Sequence, residues 1–298
     1  MQKNKIYEFI TVNTRLRVCV ISSHNEDWIN DISFLQYRLG GVKKVKNFKK
    51  MFSDIIWYPD VDNVGVDFSQ QNHVLILYGN FPSGDIQKFI LAMFNMRLQE
   101  NGKFNFHSTS VRYKDKNILF LAGEENHGKT MSLIETVKRG GLIIGTESTI
   151  IDKNLDIMDG SKEVFLLKRS KGTERTDLPP TTDGVWKFFD TLPKWNYAQN
   201  PGKLDLIILP DIDGNFDTFV SKLNDYEKKY QLFISLTETF FMAHYILSSG
   251  IPFPLMDYND LRKKRYEFVD YISKNIELYL IRAKNPQLII DEVEKIIS

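Results

Sequence analysis

Apolar and polar positions change their period along the chain, and the changes mark out its elements. As far as about residue 80, β-branched and aromatic residues cluster in short runs at Ile6 to Val12, Leu16 to Ser22, Ile55 to Tyr58, Val64 to Phe68 and His73 to Leu77. Gly, Asn and Asp separate them, which predicts strands joined by turns and a small β-rich domain over residues 1–84. From Asp85 to Glu100 the period lengthens. Ile86, Phe89, Ile90, Met93, Phe94 and Leu98 recur at spacings of three and four, so a helix is expected, stopped by Asn101-Gly102. That helix leads into a second domain over residues 85–298.

Strand and helix patterns then alternate. Phe104 to Tyr113 reads as a strand, Lys114-Asp115-Lys116 as a turn and Asn117 to Leu121 as a buried strand. Met131 to Val137 has helical spacing; Lys138 and Arg139 suit its negative end, and Gly140-Gly141 stop it. Leu142 to Ile144, Ser148 to Asp152 and Glu163 to Leu167 follow as strands, the last two joined by a turn at Asp159-Gly160. Leu204 to Leu209 is another strand, closed by a turn from Pro210 to Gly214. Ser235-Leu236-Thr237-Glu238 has the form of a capping box, opening a helix to about Leu247 whose Phe240, Phe241 and Tyr245 read as core. A charged helix from about Tyr258, a strand from Leu278 to Ile281 and a helix from Pro286 to Ile297 complete an α/β pattern.

Composition narrows the function. With 298 residues and 42% hydrophobic residues the chain can bury a sizeable core. A formal net charge of +1 argues against nucleic acid or an anionic membrane as the main partner. The basic run from Lys43 to Lys50 and the cluster Arg262-Lys263-Lys264-Arg265 read as solvated surface. Cys19 stands alone and no apolar stretch reaches membrane-spanning length, so the expected address is the cytoplasm.

One stretch carries recognisable chemistry. Gly123-Glu124-Glu125-Asn126-His127-Gly128-Lys129-Thr130 fits the phosphate-binding template G-x-x-x-x-G-K-[ST], between an apolar strand and a helix. Backbone N–H groups and the helix N-terminus cradle phosphate, Lys129 reaches the β and γ phosphates, and Thr130 suits Mg²⁺. Gly123, Asn126, His127, Gly128, Lys129, Thr130 and Met131 are therefore the expected nucleotide contacts. Glu147, just past the next strand, is the candidate acid for a metal or a proton. A loop with Lys168, Arg169, Lys171 and Arg175 suits a triphosphate, with Arg169 the leading residue because a planar guanidinium matches phosphate oxygens. His107 lies on the preceding strand and is a structural or a functional histidine.

Taken together, His107, Ile118 to Ala122, the glycine loop and Lys138 to Glu147 resemble the catalytic core of HPr kinase and its relatives in the phosphoenolpyruvate carboxykinase-like superfamily. The likeness covers roughly residues 85–298. It implies a P-loop, HPr kinase-like nucleotide-binding core that uses ATP or GTP with Mg²⁺ to phosphorylate a serine hydroxyl of a protein or precursor peptide. It also implies assembly into a homo-oligomer through nucleotide domains. Catalytic roles then fall to Glu147, His107, Lys129 and Arg169, and the metal to Thr130 and Glu147. The family has an acidic pair where this chain has Thr146 and Glu147. Two divisions of labour follow: Glu147 keeps the metal while His107 takes the proton, or Glu147 is itself the base. Non-catalytic nucleotide binding and a small-molecule kinase are the alternative functions.

Overall fold

A computed structural model describes residues 3–45, 52–121, 127–163, 196–241 and 247–298, with the side chains of 238–241 left aside. The chain is mixed α/β, with two mixed sheets and six helices among the described residues.

The first sheet holds β1 (Lys3–Thr11), β2 (Thr14–Ser22), β3 (Lys43–Val45), β4 (Ile55–Tyr58), β5 (Gly65–Ser69) and β6 (Val74–Tyr78), in the order β3-β1-β2-β4-β6-β5. Thr11 faces Thr14 across a two-residue turn whose Val12 and Asn13 both take positive φ, the backbone that matches strand twist in a tight hairpin. Between β2 and β3 runs a short helix, α1 (Ser33–Arg38). The expected basic loop begins instead with β3, which pairs with β1; Lys46 to Lys50 lie outside the described residues.

Helix α2 (Ser83–Glu100) follows, and 13 of its 18 residues are buried, so it has no solvent face of ordinary width. It packs on α1 and β2 of the first sheet and equally on β7, α4 and α5 of the second part. Its apolar residues, including Phe89, Met93 and Phe94, belong to one core with Leu16, Val18, Trp57 and Leu77. Its buried polar residues are individually bonded. The Gln87 side-chain oxygen accepts from the N–H groups of Phe34 and Leu35 at the start of α1, Asp85 accepts from the Ser248 N–H, and Asn95 accepts from Asn105.

The second sheet contains nine strands: β7 (Lys103–Tyr113), β8 (Lys116–Leu121), β9 (Leu142–Gly145), β10 (Ser148–Asp152), β11 (Asp156–Gly160), β12 (Gly202–Lys203), β13 (Leu206–Ile212), β14 (Phe219–Lys222) and β15 (Glu277–Ala283). Their order is β12-β11-β10-β7-β8-β13-β15-β14, with β9 also paired to β7. Strands β8, β13 and β15 run parallel, and their carboxyl ends lie together at one edge. In open α/β sheets ligands bind at that edge. Helices α3 (Lys129–Lys138) and α6 (Pro286–Ile297) cover one face of the sheet, and α4 (Asp225–Phe241) and α5 (Asn259–Asn275) cover the other.

Several expectations are corrected. Asp159-Gly160 ends strand β11, and the turn falls earlier, at residues 153–155, with Leu155 at positive φ. Of the strand expected over Glu163 to Leu167, Glu163 has no regular structure and the remainder lies outside the described residues. Pro210 stays within β13, past the last residue paired with β8, where its missing N–H costs no ladder bond on that side. Ser235 opens no helix. It lies inside α4, buried, because Asn224 and Glu227 already provide the reciprocal cap at the start of that helix. Arg265 is fully buried, with its guanidinium bonded to Asp257 and Gln99.

The end of α6 is fastened by Glu294, which accepts from the Tyr113 hydroxyl at 2.6 Å, Lys114 at 2.9 Å and Arg139 at 3.1 Å. These bonds, Tyr113's first, hold its carboxyl at about 2. A carboxyl depressed on folding adds stability above its unfolded value of roughly 4.3 and loses it as pH falls toward the folded value. Urea midpoints of wild type and Glu294→Gln are therefore expected to differ at about pH 6 and to converge between roughly pH 5 and 2. A gap that stayed constant over that range would show that the fastening is not ionic.

Candidate active site

Antiparallel pairing of β10 with β7 sets Ser148 opposite His107, so the bend at Thr146 and Glu147 falls beside the histidine. The Ser108 N–H donates to the Glu147 carbonyl at 3.2 Å and closes the bend onto β7. Glu147 Oε1 lies 2.8 Å from His107 Nε2 and 3.1 Å from an Arg38 guanidinium nitrogen. All three side chains are largely buried. Burial pushes the Glu147 carboxyl up, but the His107 hydrogen bond and the charges of His107, Lys129 and Arg38 prevail and hold it at about 2. Glu147 is thus an ionised carboxylate in a ring made by His107, Arg38 and Lys129.

Lys129 reaches this ring from α3. Gly128 caps the helix with φ 106°, a left-handed conformation that favours glycine, and a Cβ there would lie 2.6 Å from the Ile212 side chain. The Thr109 hydroxyl donates to the Lys129 carbonyl at 3.2 Å, and the Ile212 N–H donates to the His127 carbonyl at 3.2 Å. These bonds tie the start of α3 to β7 and to the carboxyl end of β13. Lys129 is buried, whereas His127, Thr130 and Met131 are half-buried. Gly123, Asn126 and Arg169, with the rest of the basic loop, lie outside the described residues.

Hydroxyl groups support the dyad from behind. Ser161 Oγ accepts from the N–H groups of Glu147 and Ser148 at 2.9 and 3.0 Å, and Ser235 Oγ donates to the His107 carbonyl at 3.1 Å. The residue misread as a helix cap therefore positions the histidine strand. Close backbone approach does the rest. A Cβ on Gly160 would fall 2.5 Å from the Gly145 Cα, and one on Gly40 would fall 2.8 Å from the Gly160 backbone. The α1–β3 turn, the end of β11 and the end of β9 therefore stack through three glycines.

Arg38 was not singled out from sequence, and Ser235 was singled out only as a helix cap, not as a residue of the site. Arg38 lies more than a hundred residues before Glu147, in the first sheet's connection, and no local pattern links the two.

Thr146 occupies the position of the expected second acid. Its N–H and hydroxyl are both directed at the Ser161 carbonyl, at 2.9 and 3.0 Å, and the hydroxyl also faces the Glu163 carbonyl. The pocket around it is lined with acceptors, which suits a donor and repels a carboxylate. The metal test follows from the same donor set. Magnesium takes hard oxygen ligands in octahedral geometry. Among the described residues no three of His, Cys, Asp and Glu cluster as metal ligands, and the one carboxylate present is held by His107 and Arg38. These residues form no protein-only cage for Mg²⁺, an ion usually held by one or two carboxylates together with substrate phosphates.

Compared with models of protein families and with curated proteins, the chain matches none.

An acid introduced by Thr146→Asp is expected to destabilise the protein by about 1–3 kcal/mol, the cost of setting a buried carboxylate against carbonyl oxygens. Thr146→Ser keeps the donor and is expected to be much milder. Chemical denaturation of the two variants checks this, and an Asp variant as stable as wild type would contradict it.

Proposed function

We propose that the chain is a nucleotide-dependent phosphotransferase that moves the γ-phosphate of ATP or GTP to a hydroxyl, with a serine of a protein or peptide as acceptor. One observation carries the reading. Lys129, the lysine of the glycine-rich motif, lies close enough to Glu147 to help hold its carboxyl ionised, although 18 residues separate them. A phosphate-binding lysine, an ionised carboxylate and a histidine thus converge near the carboxyl ends of β8 and β13. These are the kinds of group that phosphoryl transfer to a hydroxyl requires.

Within this reading the chain's residues divide the work by charge. Lys129 and the N–H groups at the start of α3 bind phosphate oxygens and offset the charge that develops there. Glu147, held at about 2, is a feeble proton acceptor, because a general base works best with a pKa near the working pH. The proton of the attacking hydroxyl then falls to His107. The Glu147 carboxylate, 2.8 Å from Nε2, orients the ring and stabilises the imidazolium formed. The nucleotide-binding regulator is the second reading, supported by the acceptor-lined pocket at Thr146, which leaves the strand end with a single acid.

Separate variants distinguish the two. Lys129→Ala is expected to weaken binding of ATP or GTP by about 10-fold or more. Glu147→Gln is expected to keep nucleotide affinity while transfer to a peptide or protein acceptor falls by about 100-fold or more. Calorimetric titration and transfer of label from γ-labelled nucleotide, supplied with Mg²⁺, give the two readouts. Tight nucleotide binding with no transfer to any acceptor in cell extract would favour the regulator.

A further inference from the structure

We infer that Arg38, delivered by the first sheet, is a positioning residue of the site and that the N-terminal part of the chain completes the Glu147–His107 dyad. The inference deepens the phosphotransferase reading and rests on it for the reaction concerned. The geometry is specific. One carboxylate oxygen, Glu147 Oε1, receives both His107 Nε2 at 2.8 Å and an Arg38 guanidinium nitrogen at 3.1 Å. A carboxylate gripped by the ring alone can swing about its side-chain torsions. A second, planar cation paired with the same oxygen restricts the swing and fixes the direction in which the imidazole is held.

Arg38 reaches this place through a built mount. It is the last residue of α1, whose first turn is fastened to α2 by Gln87. Its own carbonyl accepts from Asn105 Nδ2 at 3.3 Å, and Asn105 stands on β7 two residues before His107 and also bonds Asn95 of α2. The next turn carries Gly40, whose carbonyl accepts from the Thr11 hydroxyl and whose Cα face lies directly on the Gly160 backbone. Gly41, at φ 63°, lies against Asp159, and a Cβ there would fall 2.3 Å from the Asp159 carboxylate. Ser161, which holds the Glu147 N–H, is the residue after Gly160. The guanidinium and the carboxylate it meets are therefore positioned by the same short stretch of β11 and β7. A surface arginine meeting a carboxylate by chance has no such mount, and isolated surface pairs contribute little.

The reaction supplies a reason for the arrangement. A base displaced by about 1 Å loses rate out of proportion to any loss of stability. With Arg38 present, the dyad keeps its orientation whether or not nucleotide is bound.

The test uses the full chain with ¹⁵N-labelled histidine, at one pH near 7.5, in wild type, Arg38→Met, Arg38→Lys and Glu147→Gln. Methionine keeps the unbranched apolar stem of arginine without its charge, which guards against a variant that simply fails to fold. The His107 ring resonances, assigned by their loss in His107→Gln, are expected to move in Arg38→Met in the same sense as in Glu147→Gln. They should return part of the way in Arg38→Lys, while those of His24 and His73 stay in place. In transfer assays Arg38→Met is expected to lower kcat by about 10-fold or more, with nucleotide affinity within about twofold of wild type. Unmoved His107 resonances overturn the inference whatever the activity. Moved resonances with unchanged kcat overturn the positioning role and leave a structural ion pair. If wild type transfers no phosphate, the phosphotransferase reading falls, while the His107 resonances still decide whether Arg38 orients the dyad.

Discussion

A helix buried on nearly every side must find a partner for each polar group it carries, and helix α2 sets that condition for the whole chain. Its apolar residues fill the core under the first sheet, but its polar residues decide where neighbouring elements sit. Gln87 fixes the start of α1, Asn95 reaches Asn105 on β7, and Gln99 meets the buried Arg265 of α5. Each unmade bond would cost on the order of 1–3 kcal/mol, comparable with a substantial share of a domain's net stability. The two sheets are thereby joined through hydrogen bonds of fixed length, where an apolar contact alone would allow sliding.

The candidate site inherits that precision. Asn105, on the strand that carries His107, donates to Asn95 of α2 and to the carbonyl of Arg38, so the polar stitching of the central helix extends to within two residues of the dyad. The charge arrangement is equally constrained. Burying one carboxylate costs several kcal/mol unless cations and hydrogen bonds compensate. Glu147 has His107, Arg38 and Lys129 to do so, one from each of three separate elements. Removing any one of them would leave the largely buried Glu147 carboxylate less well compensated.

Local chemistry was legible in the sequence, and long-range chemistry was not. The Asn117 to Leu121 strand, the helix after the glycine loop and the closing helix from Pro286 stand where periodicity and capping put them, with Asn285 Oδ1 accepting from the Leu288 N–H. The Lys114-Asp115 turn is a two-residue hairpin with both residues at positive φ. Ser235 misled because a capping box is a four-residue pattern, whereas its hydroxyl serves a strand 128 residues away. Arg265 looked solvated for the same reason: Asp257 and Gln99, its partners, share no helical face with the basic cluster around it. Arg38 could be seen only after two sheets had folded against each other. That Thr146 and not an acid precedes Glu147 was visible at once, but the pocket of carbonyl oxygens that suits its hydroxyl was not.

Three glycines in contact also bear on how such a site tolerates change. Where Gly40, Gly160 and Gly145 meet, the separation between segments is set by main-chain atoms, whose dimensions are the same whatever side chains surround them. Side chains elsewhere in the sheets can drift in size over many generations without altering that spacing. The positions that cannot drift are the three where a single methyl group would force the segments apart, so the geometry around Glu147 is recorded in residues that have no side chain at all.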